Sequence, residues 1–109
     1  MQKISDAEEI IMCLVWSSDH DPDLQELVQR SETEFGKIWK IQTVATYMKR
    51  LEGKKYVTIY RVGRYSHYRA EVKIDDYRKM KLEEVKKRLF RDDFKEMREF
   101  LNRRARQEG

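Results

Sequence analysis

The period of the apolar residues changes once along this chain and then changes back. Ala7, Ile10, Ile11, Leu14 and Val15 fall at the three- and four-residue steps of one helix face. Leu24, Leu27 and Val28 repeat that spacing. Ile41, Val44, Ala45, Met48 and Leu51 repeat it again over about Lys40 to Glu52. Tyr56-Val57-Thr58-Ile59-Tyr60 breaks the pattern, because a β-branched and aromatic run suits a strand. Val62-Gly63-Arg64 reads as a turn and Tyr65-Ser66-His67-Tyr68-Arg69 as the returning strand. Past Asp75-Asp76, Met80, Leu82, Val85 and Leu89 restore the helical spacing. Asp92-Asp93 then reads as a break and a cap. Beyond it Phe94, Met97 and Leu101 follow Phe90 in steps of four, three and four, a seam of a/d type. The predicted order is three helices, a hairpin and a helical tail.

Local signals set the ends of these elements. Ser5-Asp6-Ala7-Glu8 is a capping box, in which the hydroxyl and the carboxylate satisfy each other's backbone N–H groups. The first helix should end near Trp16–Ser18. Asp19-His20-Asp21-Pro22 reads as a loop, with Pro22 at or near the first turn of the second helix. That helix fades through the polar Arg30–Glu34 stretch and is broken by Gly36. Gly53 is the expected terminator of the third helix, and Asn102–Gly109 are expected to fray. A length of 109 residues allows one small domain with an appended element. The boundary is placed between residues 71 and 72.

Charge is informative by position. Residues 1–36 hold nine acidic residues against two basic ones, whereas residues 37–70 hold nine basic residues and a single acid, Glu52. A cationic block of that density attracts polyanions. It also holds Trp39, Tyr47, Tyr56, Tyr60, Tyr65 and Tyr68, and basic side chains interleaved with aromatic ones are usual on nucleic-acid-binding surfaces. The alternative is a solvated face balanced by the acidic N-terminal third. The longest apolar run, Ile10–Trp16, is far below the roughly 20 residues that cross a bilayer. Asp6, Glu8 and Glu9 sit where a secretory signal needs a cationic start. The one cysteine, Cys13, can form no internal disulfide and suits a reducing compartment. The expected location is the cytoplasm.

Three helices followed by a two-stranded hairpin make a winged helix-turn-helix domain, and the whole chain is mainly α with a small β-hairpin. In such a domain the third helix enters the major groove and the hairpin flanks it. The polar face of the third helix offers Gln42, Thr46 and Lys49, flanked by Thr43 and Arg50, with Lys40 at its start. Gln suits an adenine edge, Lys a guanine edge, and a Thr methyl a thymine methyl. Arg61, Arg64 and Arg69 on the hairpin, with Tyr65, suit contacts that position without specifying. Gln42, Thr43, Thr46, Lys49 and Arg50 could merely be the wet side of an amphipathic helix, but the hairpin and the cationic block weigh toward base contact.

The tail, residues 72–109, is too short for a stable core of its own. It displays Leu82, Val85, Leu89, Phe90, Phe94, Met97, Phe100 and Leu101. Burying each is worth roughly 1.5–3 kcal/mol, so it either folds back on the helical head or packs on another chain. A second copy is the favoured partner, because twofold homodimers are the commonest oligomers. A dimer would also set two reading helices at a fixed spacing on a palindromic site.

These residues resemble a known family. Ile4-Ser5-Asp6-Ala7-Glu8 followed by Leu14-Val15-Trp16 resembles the opening of the penicillinase-repressor family, the BlaI, MecI and CopY group. Trp39, Thr43-Val44, Thr46 and Arg50-Leu51 resemble its recognition-helix pattern, W-x-x-x-T-[VI]-x-T-x-x-x-R-L. Gly63-Arg64 with Tyr65 and Tyr68 resembles its wing. The resemblance covers residues 4 to about 101. It implies a winged-helix domain, a helical dimerisation region and repression through palindromic operators. For some members it also implies inactivation by a regulatory protease that cuts the C-terminal helices, in the stretch occupied here by Arg88–Asp92. Glu9 stands where the family usually has Trp. The glycine that opens the wing is here Lys55, with Gly53 two residues earlier. A left-handed non-glycine costs about 1 kcal/mol, which favours a differently built turn. The region also lacks a last helix that longer members have, which bears on the strength of the dimer. The copper-responsive branch carries paired C-terminal cysteines, so with Cys13 alone copper sensing is not expected.

Other signals read as structural. Asp19-His20-Asp21-Pro22-Asp23 lacks a second histidine nearby and reads as a solvated loop rather than a metal site. Cys13 reads as a small buried hydrophobe, Trp16 and Trp39 as core, and His67 as a packing or phosphate-contacting residue. No phosphate-binding glycine loop, H-E-x-x-H or C-x-x-C occurs, and no nucleophile–base pair is visible. Neither enzymatic activity nor a cofactor is expected. Two functions remain: a dimeric sequence-specific DNA-binding repressor, and a winged-helix module that binds an acidic protein partner.

Overall fold

The computed structural model describes residues 1–109. Its elements are α1 (Asp6–Trp16), α2 (Leu24–Phe35), α3 (Ile41–Gly53), β1 (Val57–Val62), β2 (Tyr65–Ala70), α4 (Ile74–Leu89) and α5 (Phe94–Glu108). They divide into two compact units, Met1–Lys73 and Ile74–Gly109.

In the first unit α1, α2 and α3 pack on one another and the hairpin closes the core. Ile11, Met12, Leu14, Leu27, Val44, Met48, Leu51 and Tyr56 lose all contact with solvent. The capping box opens α1 as expected: the Ser5 N–H donates to Glu8 Oε1 at 2.8 Å and the Glu8 N–H to Ser5 Oγ at 3.2 Å. The last turn of α1 has no basic residue, and Arg30 of α2 supplies the missing cation. Its guanidinium donates to the Leu14 carbonyl at 3.2 Å and to the hydroxyls of Ser18 and Ser17 at 2.7 and 2.9 Å. A positive charge is favoured at that end of a helix.

Pro22 lies before α2 rather than in its first turn. The helix is opened by a second capping box, Asp23 with Glu26, whose side chains accept from each other's N–H groups at 3.3 and 2.9 Å. Buried Pro22 instead offers its carbonyl to the Tyr68 N–H at 3.1 Å. Gly36, at φ 66°, ends α2 as expected.

Helix α3 ends at Gly53, as expected, but the glycine is not what turns the chain. Gly53 is an ordinary helical residue, and Lys55 takes the left-handed position at φ 65°. The Tyr56 N–H donates to Leu51 O at 2.9 Å and the Lys55 N–H to Glu52 O at 3.0 Å. That is a Schellman closure with lysine where glycine is usual. Two hydrogen bonds and the complete burial of Tyr56 outweigh the strain. Replacing Lys55 with glycine should therefore stabilise the chain by about 0.5 kcal/mol, the left-handed penalty less the added freedom of the unfolded glycine. Thermal unfolding followed by circular dichroism should show a midpoint raised by roughly 2–4 °C. A lowered midpoint would show that the lysine side chain itself stabilises the turn.

The hairpin pairs Tyr60 with His67, Arg61 with Ser66 and Val62 with Tyr65. A two-stranded hairpin is marginal alone, and this one is fastened to the loop between α1 and α2. Asp23 bridges to His67. The Tyr60 hydroxyl donates to Asp21 Oδ2 at 2.6 Å, and His67 Nδ1 lies 3.0 Å from the Asp21 carbonyl. Trp16, half-buried rather than core, donates its indole N–H to Val72 O at 2.8 Å.

In the second unit Arg91 and Asp92 are both left-handed, at φ 51° and 60°. The spacing from Phe90 to Leu101 therefore does not follow one helix: Phe90 ends on the far side of a sharp joint from Phe94. Asp93 caps α5 by accepting from the Glu96 N–H at 3.2 Å. The helix stays intact to Glu108, past the expected fraying point, with Arg104 bonded to Glu108 at 3.0 Å. No helix of the chain is long and apolar enough to cross a membrane.

Candidate nucleic-acid interface

The buried stripe of α3, Val44, Met48 and Leu51, turns the opposite face outward. Gln42, Thr46, Lys49 and Arg50 are exposed on the helix and Thr43 is half-buried. The Thr46 hydroxyl donates to the Gln42 carbonyl at 2.9 Å, so this side chain offers outward a methyl group and an oxygen lone pair. Lys49, not Arg50, pairs with Glu52, at 3.6 Å. At the start of α3 Lys40 gives no side-chain cap and the first turn holds no acid. The open N–H groups there favour an anion. Trp39 is half-buried and meets Tyr47 edge-on with ring centroids 5.4 Å apart, which fixes the entry to the helix.

Arg61, Arg64 and Tyr65 are exposed on the hairpin. The Arg61 guanidinium donates to the Arg64 carbonyl at 3.1 Å, so the tip's own backbone holds the charge in place. Arg69 lies over the Tyr60 ring and 3.5 Å from Glu71, so its charge is answered by the residue that follows the strand. His67 stacks on Tyr60 and serves packing.

Between α3 and the hairpin runs a cleft of about 400 Å³ that includes Lys49, Glu52, Arg61 and Ser66 in its lining. A second, of about 290 Å³, is bounded by Leu24, Gln25, Ile41, Arg61, Arg64 and Ser66. Leu24, Arg61 and Ser66 belong to both. The structure thus brings the start of α3, Lys49 and the hairpin arginines around one groove. Sequence reasoning missed Gln25 and Ser66 there, because one lies on α2 and the other looks like ordinary strand surface.

The acidic loop is more ordered than its composition suggests. The two ring nitrogens of His20 each lie 2.6 Å from a carboxylate, Asp19 on one side and Glu26 on the other. The hydrogen bond to Asp19, then that to Glu26, raises its pKa above the usual value. His67 is the second histidine that the sequence did not place near this loop, but its Nδ1 faces a backbone carbonyl. Cys13 is only half-buried, and burial raises its thiol pKa.

The apolar residues of the second unit separate into two kinds. Leu89 is 72 % exposed and Phe94 62 %, and Leu82, Val85 and Leu101 are exposed as well. Met97 is only 4 % exposed and so is covered within the single chain, not held ready for another. Phe90 is half-buried and leans on Phe100 at 5.6 Å.

The penicillinase repressor family matches residues 4–108, almost the whole chain. The chain belongs to that family. It is a family of repressors, not an enzyme class. Among solved structures, that of the DNA-binding domain of the repressor BlaI covers 71 % of this chain and 94 % of its own, with 28 % identity and a TM-score of 0.57. No curated protein matches. The family's winged-helix architecture is the one seen here, three helices and an antiparallel hairpin with a helical part beyond it, even though Lys55 stands at the wing-opening turn.

Proposed function

We propose that this chain is a dimeric, sequence-specific DNA-binding repressor of transcription, acting in the cytoplasm on a palindromic operator. Residues 1–71 bind DNA and residues 72–109 dimerise. The observation that carries the reading is the pair of adjoining clefts along α3: Lys49 lines one with Arg61, Ile41 lines the other with Arg61 and Arg64, and Gln42 and Thr46 stand exposed on the same helix. With α3 in a major groove, Gln42, Thr43, Thr46 and Lys49 read base edges. Lys40, Arg50, Arg61, Arg64 and Tyr65 hold the backbone. The second copy is held by Leu82, Val85, Leu89, Phe94 and Leu101, with Phe90 at the margin. Arg91 and Asp92, left-handed and exposed, offer the joint that a regulatory protease would cut.

Selection from a random duplex library at about 0.15 M salt tests this reading. Enrichment of an inverted repeat is expected. Binding without enrichment would indicate an architectural role, and no binding would favour the module for an acidic protein partner. On the enriched site, replacing Gln42 with alanine should cost about 1–3 kcal/mol and relax one base position. Replacing Arg64 with alanine should weaken all duplexes alike. If both variants weakened every sequence equally, α3 would not be reading bases.

A further inference from the structure

We infer that the cleft between α2, α3 and the hairpin seats a single phosphate of the DNA backbone, held by Arg61, Ser66 and Gln25. The inference rests on the DNA-binding reading above and assigns to it a site that α3 and the wing tip alone do not supply. A major and a minor groove of a duplex are always separated by one sugar-phosphate strand. A domain that lays α3 in one groove and reaches toward the next with its hairpin must straddle that strand. The strand then passes over the cleft that Arg61 and Ser66 line from the hairpin and Gln25 from α2.

The three side chains suit that task. Arg61 and Ser66 are cross-strand partners, so they stand at one level of the hairpin. Arg61 has one N–H committed to the Arg64 carbonyl, which fixes the guanidinium and leaves other donors of its planar fork for a phosphate. Gln25, exposed in the first turn of α2, adds an amide N–H from the opposite wall. No acid lines this cleft, and Glu52, which lines the adjoining one, is paired with Lys49. A phosphate gripped from two elements fixes the register of α3 along the major groove, which is how backbone contacts serve sequence reading.

The test is a methylphosphonate scan of the tightest duplex recovered from the random library, one neutralised phosphate at a time, against the full chain. For the wild type, one position in each half-site should stand out, with affinity lowered about tenfold. The double variant Gln25→Ala, Ser66→Ala should bind the unmodified duplex about tenfold more weakly. When that same phosphate is neutralised it should lose clearly less than the tenfold of the wild type, because Arg61 alone remains to hold it, while every other position keeps its wild-type effect. Arg61→Lys, which retains the charge but not the fork, should weaken the same coupling. Wild-type affinity in the double variant, or an undiminished effect at the marked phosphate, overturns the seat and leaves the DNA-binding reading standing. Failure of the wild type to bind any duplex overturns both.

Discussion

With Leu89 and Phe94 both replaced by aspartate, the chain is expected to sediment as a monomer at concentrations where the wild type sediments as a dimer. Both side chains are mostly in solvent in the single chain, so the substitutions remove little from the fold of one copy. In a dimer each would lose an apolar burial worth roughly 1.5–3 kcal/mol and place a carboxylate in an apolar contact, once per copy. The dissociation constant should rise by at least a hundredfold, since each 1.4 kcal/mol is a factor of ten. Met97 is the wrong residue for this experiment. Its burial within the chain means that an aspartate there would damage the protomer itself. A double variant that remained dimeric would remove the Leu89–Phe94 surface from the interface.

The second large effect concerns folding. Replacing Lys54 with methionine should destabilise the chain by about 3 kcal/mol. Glu8 is buried, with Oε1 bonded to the Ser5 N–H at 2.8 Å and to Lys54 Nζ at 3.0 Å, while Oε2 has no hydrogen-bond partner. Without the ammonium the carboxylate is a buried charge that lacks its counter-ion. Burial alone would raise the pKa of Glu8, but the Ser5 N–H and the Lys54 ammonium outweigh it and leave the value below normal. A lowered pKa in the folded state gives stability that is present above the unfolded value and is lost as pH falls through the folded one. Urea denaturation between pH 6 and 3 should therefore show a loss in the wild type that Glu8→Gln reduces. In Lys54→Met the loss should begin at higher pH. The pair Glu8→Gln, Lys54→Met should recover much of the single-variant cost. A change below about 0.5 kcal/mol in Lys54→Met would show that the ammonium does not hold the charge.

These residues also show what a sequence displays and what it hides. The Ser5–Glu8 box was legible because its partners stand three residues apart. The Asp23–Glu26 box has the same spacing, but Pro22 drew the expected helix start toward itself. The contact of Glu8 with Lys54 spans 46 residues, and no local pattern announces it. Lys55 was read through its intrinsic cost, and the two hydrogen bonds that outweigh that cost exist only once Tyr56 is buried. Periodicity identified Met97 as apolar and inward-facing, yet periodicity cannot tell a face covered by its own chain from one covered by another. On α3 the outward row Gln42, Thr46 and Lys49 followed directly from the buried stripe. Gln25 and Ser66 did not, since a groove between elements is set by how the elements pack. That the Thr46 hydroxyl turns back to the Gln42 carbonyl is likewise a property of the formed helix.

The fastening of the hairpin bears on how it moves. Near Tyr68 and His67 it is bonded to Pro22 and Asp21, and Tyr60 adds a hydroxyl from the other strand. At the tip Val62 and Tyr65 are 58 % and 52 % exposed, and beyond their pairing only a side-chain bond from Arg61 to Arg64 braces the turn. Stiffness thus falls along its length, as in a cantilever clamped at one end. Amides near the root should exchange slowly with solvent and those of Gly63 and Arg64 quickly. The clamped root keeps the distance from α3 constant, while the compliant end can follow a minor groove whose width varies with sequence.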